Sequence, residues 1–126
     1  MEKEIIHTSN APEAVGPYSQ AVKLKDVIFT SGQIPLDPAT NELVGEDIDS
    51  QTRQVLKNVT AVLKEAGVGL ENVMKTTVYI KNMDDFKTIN EIYSEFFAEN
   101  PPARSVVEVA RLPKDVLIEM DVIAVT

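Results

Sequence analysis

Two segments near the end of the chain, Arg104 to Ala110 and Val116 to Val125, alternate in a way that constrains both of their faces. In the first, Ser105, Val107 and Val109 alternate with Arg104, Val106 and Glu108; in the second, Val116, Ile118 and Met120 alternate with Leu117, Glu119 and Asp121. A period of two is the signature of a strand whose side chains point to opposite faces. If the two strands pair as neighbours, one register sets Val107 and Val109 opposite Ile118 and Val116 under a cover of helices, whereas a slip of one residue would put charges in the core. Arg104, Val106, Glu108, Leu117, Glu119 and Asp121 then share the outer face, continued by Ile123 and Val125. Such a face is too apolar for water and too charged to be buried alone. A closed homo-oligomer resolves the conflict, leaving a cleft where Arg104 and Glu119 meet a ligand.

The rest of the chain supplies that cover. Ile5-Ile6 starts a short strand, and Tyr18 to Leu24 and Val27 to Ser31 read as a hairpin about Lys25-Asp26 without the usual glycine. Pro35 to Glu46 is rich in turn formers and reads as a loop. Asp47 to Ala66 predicts a helix: Val55, Val59, Val62 and Ala66 fall on one face, Leu56 and Leu63 widen it, Asp47 or Asp49 can cap its start, and Gly67 suits a left-handed cap at its end. Asn72 to Lys81 alternates as a strand, with Met74, Thr76, Val78 and Ile80 on one face. Asp84 or Asp85 caps a second helix running to about Ala98, with Phe86, Ile89, Tyr93 and Phe97 along its buried stripe and Pro101-Pro102 as its stop. The order predicts an α+β domain spanning residues 1–126, a mostly antiparallel six-stranded sheet with two helices on one face.

Composition excludes several chemistries. Without cysteine there is no disulfide, thiolate metal site or thiol nucleophile, and one histidine, His7, cannot build a multi-histidine metal site. A net charge of −8, with its lysines and arginines scattered, makes nucleic acid an unlikely partner. No apolar run is long enough for a membrane helix, and no signal-like stretch follows Met1-Glu2-Lys3-Glu4, so a cytoplasmic location is expected.

Three local features carry chemistry. Arg104 and Glu119 read either as an interface ion pair or as a site in which the guanidinium takes a substrate carboxylate and Glu119 acts as acid and base. Gly16 to Gln20 and Thr30 to Gln33 read either as turn chemistry or as a pocket wall, with the Ser31 hydroxyl and the Gly32 amide as donors and Tyr18 as an apolar wall with a polar tip.

Residues 11–20 (APEAVGPYSQ), 31–35 (SGQIP) and above all 102–120 (PARSVVEVARLPKDVLIEM) resemble the YjgF/RidA family, and the resemblance covers nearly the whole chain. It implies a chorismate-mutase-like subunit in a homotrimer and ligand sites in the clefts between subunits. It also implies hydrolysis of 2-aminoacrylate and related imino acids to keto acids and ammonia without a cofactor or metal. By position, Arg104 matches the family's carboxylate-binding arginine and Glu119 its water- or proton-handling glutamate, while Tyr18, Ser31, Gly32 and Asn90 match further pocket positions. Many members carry cysteine where this chain has Val106, which leaves only a backbone carbonyl for the pocket. The competing readings are a regulatory module that binds a small carboxylate without turnover, and an endoribonuclease or translation inhibitor, which the acidic balance disfavours.

Overall fold

The computed structural model describes residues 2–126. Its long helix, α1 (Ile48–Glu65), begins and ends where the sequence places its signals. The Asp47 carboxylate accepts the Ser50 amide at 2.8 Å. At the other end Gly67 adopts φ +88°, the Gly67 amide donates to Lys64 O and the Val68 amide to Leu63 O, which together form a Schellman cap. Val55, Leu56, Val59, Val62 and Leu63 are fully buried along the predicted stripe. The second helix, α2 (Phe86–Phe96), starts differently. Asn82, not Asp84 or Asp85, provides the side-chain cap, accepting the Asp84 amide at 2.9 Å into a single 3₁₀ turn, Met83–Asp85, that leads into the helix.

Six strands form the main sheet: β1 (Glu4–Ile6), β2 (Ala21–Leu24), β3 (Val27–Thr30), β6 (Val73–Ile80), β7 (Ala103–Glu108) and β8 (Ile118–Val125), in the order β1-β2-β3-β8-β6-β7. The predicted loop holds a small separate ladder, β4 (Leu36–Asp37) with β5 (Glu42–Leu43). The β2–β3 hairpin turns through Lys25 at φ +54°. All neighbours in the main sheet run antiparallel except β6 and β7, which are parallel and joined through α2, as a parallel connection requires.

This order corrects the pairing expected for the last two strands. β7 and β8 are not neighbours; β6 lies between them. A tight hairpin connects antiparallel neighbours with a few residues, whereas the link from 109 to 117 is long enough to pass the end of β6. The faces follow. Arg104, Val106 and Glu108 are level with Thr76, Val78 and Ile80, whose side chains lie under the helices, so they belong to the helix side. Val107 faces away from the helices, not toward them, and is exposed. Ile118, Met120, Val122 and Ala124 are buried under the helices, and Glu119, Asp121, Ile123 and Val125 face outward as expected. One further departure lies in β6. A bulge between Val73 and Lys75 gives the core position to Val73 and turns Met74 outward.

The outer face is uncovered. Ile5, Phe29 and Val107 are large apolar side chains exposed on it, beside Glu119 and Asp121. No helix among the described residues is long and apolar enough to cross a membrane. Replacing the fully buried Leu63 by alanine is expected to lower unfolding stability by about 2–5 kcal/mol, and removing the Asp47 cap by about 1 kcal/mol; urea denaturation of both variants checks the ranking.

Candidate functional site

One end of the outer face forms a cleft of about 600 Å³ lined by Tyr18, Ser31, Gly32, Ile34, Lys114 and Glu119 among others. Backbone pairing fixes its centre. The Gln33 amide donates to Met120 O at 2.7 Å and the Met120 amide to Gln33 O at 3.1 Å, which ties the segment after β3 to β8. The residues just before each partner, Gly32 and Glu119, are thereby brought together. A methyl group added at Gly32 would collide with the Glu119 carboxylate and lie 2.7 Å from its Cδ, so the carboxylate occupies the space a side chain would need. The Ser31 hydroxyl donates to Ser19 O at 2.6 Å, joining the two predicted pocket segments. The Tyr18 hydroxyl accepts the Val15 amide at 3.3 Å, and its ring stays half exposed at the cleft wall.

Glu119 places a carboxylate in the wall of this cleft. It is half-buried, and no described residue donates a hydrogen bond to its carboxylate. Burial, reinforced by the nearby charge of Asp121, raises its pKa above the usual 4.5. Asp121 is also raised by its burial, an effect opposed by the Tyr79 hydroxyl, which donates to it at 3.2 Å, and by Lys75.

Arg104 stands elsewhere. Its guanidinium lies 4.7 Å from the centre of the Tyr93 ring and 5.5 Å from that of Phe86, and it donates to Asn90 Oδ1 at 2.9 Å. The Tyr93 hydroxyl is in turn bonded to Thr76 Oγ1 at 2.8 Å. No carboxylate of a described residue pairs with Arg104. The expectation that Arg104 and Glu119 lie close on one face is therefore overturned. Arg104 is level with Thr76 on the helix side of β6, and Glu119 is level with Tyr79 on the outer side. Asn90 joins Arg104 at the outer edge of α2 and β7, and the Val106 side chain packs against the core on that same side.

The seven predicted residues thus fall into two groups: Tyr18, Ser31, Gly32 and Glu119 in one, and Arg104, Asn90 and Val106 in the other. Sequence reasoning assigned Phe86 and Tyr93 to the core alone and missed that their faces cradle Arg104; an arginine one strand beyond an aromatic helix stripe was the available signal. No cluster of metal-ligating side chains occurs among the described residues.

The raised pKa of Glu119 has a definite sign. The folded chain holds this proton more tightly than the unfolded chain, so ionising Glu119 penalises the fold; the penalty is absent below pH 4.5 and complete above the folded pKa. Glu119→Gln is expected to raise the melting temperature at neutral pH, with a gain that disappears on acidification through that window. Thermal melts of both proteins across pH check it, and a gain confined to acid pH would overturn the assignment.

The family model described as Endoribonuclease L-PSP matches residues 8–126. A RutC family protein of Pyrococcus abyssi is 56% identical over 124 residues, covering 98% of each chain. Among solved structures, Escherichia coli TdcF with bound serine superposes with a TM-score of 0.94 at 48% identity over 98% of each chain. The YjgF gene product of E. coli superposes with a TM-score of 0.92 at 52% identity, over 97% of this chain and 98% of that one. With matches of this extent in sequence and in fold, the chain belongs to the YjgF/RidA family.

Proposed function

We propose that the protein is a hydrolytic deaminase of enamine and imine intermediates, converting 2-aminoacrylate and related 2-imino acids to 2-keto acids and ammonia. The observation that carries this reading is the half-buried Glu119 carboxylate, free of hydrogen-bond donors among the described residues, set over a glycine in a cleft. A carboxylate so placed is a stronger base than one in water and has room beside it for a water molecule or a small substrate. Arg104, held by rings and an amide instead of an acid, keeps its planar fork for a substrate carboxylate. TdcF, which was crystallised with bound serine, is a relative that accommodates a ligand of similar size and charge.

The two groups cannot meet within one chain, so the reading includes a homotrimer in which one copy supplies Glu119, Tyr18, Ser31 and Gly32 and its neighbour supplies Arg104 and Asn90. Exposed Phe29, Ile5 and Val107 on the uncovered face are the apolar surface such an assembly buries.

In the reaction Arg104 of one copy binds the carboxylate of the 2-imino acid. Glu119 of the other takes a proton from water as the oxygen bonds to the imine carbon and the C=N electron pair moves to nitrogen. The proton passes from Glu119 to that nitrogen, giving the carbinolamine; Glu119 then carries the hydroxyl proton to the amino nitrogen as the C–N bond breaks and the C=O bond forms, and keto acid and ammonia leave. The imine is already electrophilic, so orientation and a single acid/base group account for the catalysis without a cofactor. An RNA-cleaving role has less support: the chain carries a net charge of −8, and its one histidine, His7, is exposed and bonded to Glu13.

A coupled assay, in which a serine or threonine dehydratase releases the intermediate and keto acid is followed by absorbance, tests the reading. Glu119→Gln is expected to lose roughly 10²–10⁴-fold in rate, Arg104→Ala to raise KM, and wild-type activity to fall on acidification through a pKa above 4.5. No acceleration by wild type would leave a carboxylate-binding module in its place. The shared cleft has its own test. At substrate concentrations far below the raised KM, Arg104→Ala and Glu119→Ala are each expected to show little activity alone, and subunits refolded together in equal amounts to regain roughly a quarter of wild-type activity, because random assembly gives that share of clefts both intact residues. No regain would overturn the shared cleft.

A further inference from the structure

We infer that Lys114 is a specificity-determining residue of this cleft, selecting imino acids that carry a second carboxylate at the end of their side chain; the inference rests on the deaminase reading. Three observations converge on it.

The first is charge. The charged residues lining the cleft are Glu13, Lys114 and Glu119. Glu13 is engaged, since His7 Nε2 contacts both of its oxygens, at 3.0 and 2.9 Å. Glu119 is the acid/base group. No carboxylate of a described residue lies within ion-pairing distance of the Lys114 ammonium. Arg104 already answers the carboxylate next to the imine carbon, so the unpaired cation on the Glu119 side is complementary to a second, distal anion.

The second is the lining of the cleft. Val15, Ile34, Leu36 and Pro113 give it apolar walls suited to a methylene chain between the imine carbon and a terminal carboxylate.

The third is the backbone. Lys114 and Asp115 both adopt φ +55°, the left-handed region that glycine fills without cost. Two such residues in succession persist only where their surroundings impose the conformation. Here Leu112 is buried before them and Val116 after them, and the Asp115 carboxylate accepts Lys81 Nζ at 2.6 Å. The connection between β7 and β8 thereby holds Lys114 in a fixed backbone conformation at the rim of the cleft.

The test compares kcat/KM for 2-iminoglutarate and 2-iminopropanoate, generated in situ from glutamate and alanine by amino-acid oxidases, in wild type, Lys114→Met, Lys114→Glu and Lys114→Gly. Wild type is expected to favour the dicarboxylate. Lys114→Met should lower that ratio about fivefold, the scale of an exposed ion pair, and Lys114→Glu should lower it further. Lys114→Gly, which relieves the left-handed backbone, should raise the melting temperature and yet lose the same selectivity. A wild-type preference for the monocarboxylate, or a ratio unmoved in the Met and Glu variants, overturns the inference. If wild type hydrolyses neither substrate, the deaminase reading fails. Calorimetric binding of 2-oxoglutarate against pyruvate then decides the role of Lys114 independently: a preference for 2-oxoglutarate lost in Lys114→Glu upholds it, and an unchanged preference overturns it.

Discussion

An odd spacing on β6 governs everything that follows from this fold. Arg104 is level with Thr76 and Glu119 with Tyr79, three positions apart on one strand. Alternation sends residues an odd number apart to opposite faces of a sheet. The cation and the carboxylate are therefore kept on separate sides, and neither compensates the other. An arginine beside Glu119 would hold its carboxyl low and make it a poor base. Kept apart, Glu119 feels burial and the like charge of Asp121, both of which push its pKa upward, while Arg104 is stabilised by ring faces that leave its charge uncancelled. In an assembled cleft the substrate carboxylate would stand between them, so the ion pair Arg104 forms would be with the ligand.

The elements whose signals are local were legible in the sequence. The ends of α1 follow from Asp47 and Gly67, and its stripe from a 3.6-residue period; both helices lie on one face of six strands, as the patterns require. The failures are non-local. Alternation tells which residues of a strand share a face, but not which strand is its neighbour. Pairing β7 with β8 as a hairpin inverted the face of every residue in β7, Arg104 included. The long link between them and the helical crossover from β6 to β7 were the contrary signs. The bulge at Met74 escaped for a related reason, since an inserted residue shifts the alternation without changing its composition. Of the site, Arg104, Glu119, Tyr18, Ser31 and Gly32 were legible in alternation and local chemistry, Asn90 and Val106 came from resemblance, and the division into two groups came only from the structure.

The Glu119 cleft has a rigid frame that the stripe of α1 conceals. Asn58 Nδ2 donates to Ile34 O and Leu36 O, each at 3.0 Å, and the Asn58 side-chain oxygen accepts from Gln54. Gln51 donates to Gly45 O and accepts the Leu117 amide, both at 2.8 Å. Gln51 and Asn58 are buried, so these bonds form away from competing water, and losing one would strand a polar group in the core. They fix the segment after Gly32 and the entry to β8 to the same helix. The two walls that bring Gly32 and Glu119 together thus share one reference, although the segment between residues 33 and 47 has little regular structure of its own.

The Arg104 side is framed by the core itself. Tyr93 is buried, its hydroxyl held by Thr76 and its ring packed at a tilt against Phe97, 4.6 Å between centroids. Its hydroxyl is anchored by β6 and its body by α2, so the ring beneath Arg104 has little freedom to move. A flat guanidinium can lie over that ring and still present its remaining N–H groups in a fork, which the compact, strongly hydrated ammonium of a lysine does not reproduce. The same helix stripe therefore performs two tasks. Its apolar edges close the core between α2 and the sheet, and its ring faces set the direction in which the Arg104 guanidinium points. In this fold core packing and the seat of Arg104 are read from one set of aromatic residues, and a stripe assigned wholly to the core hides the second task.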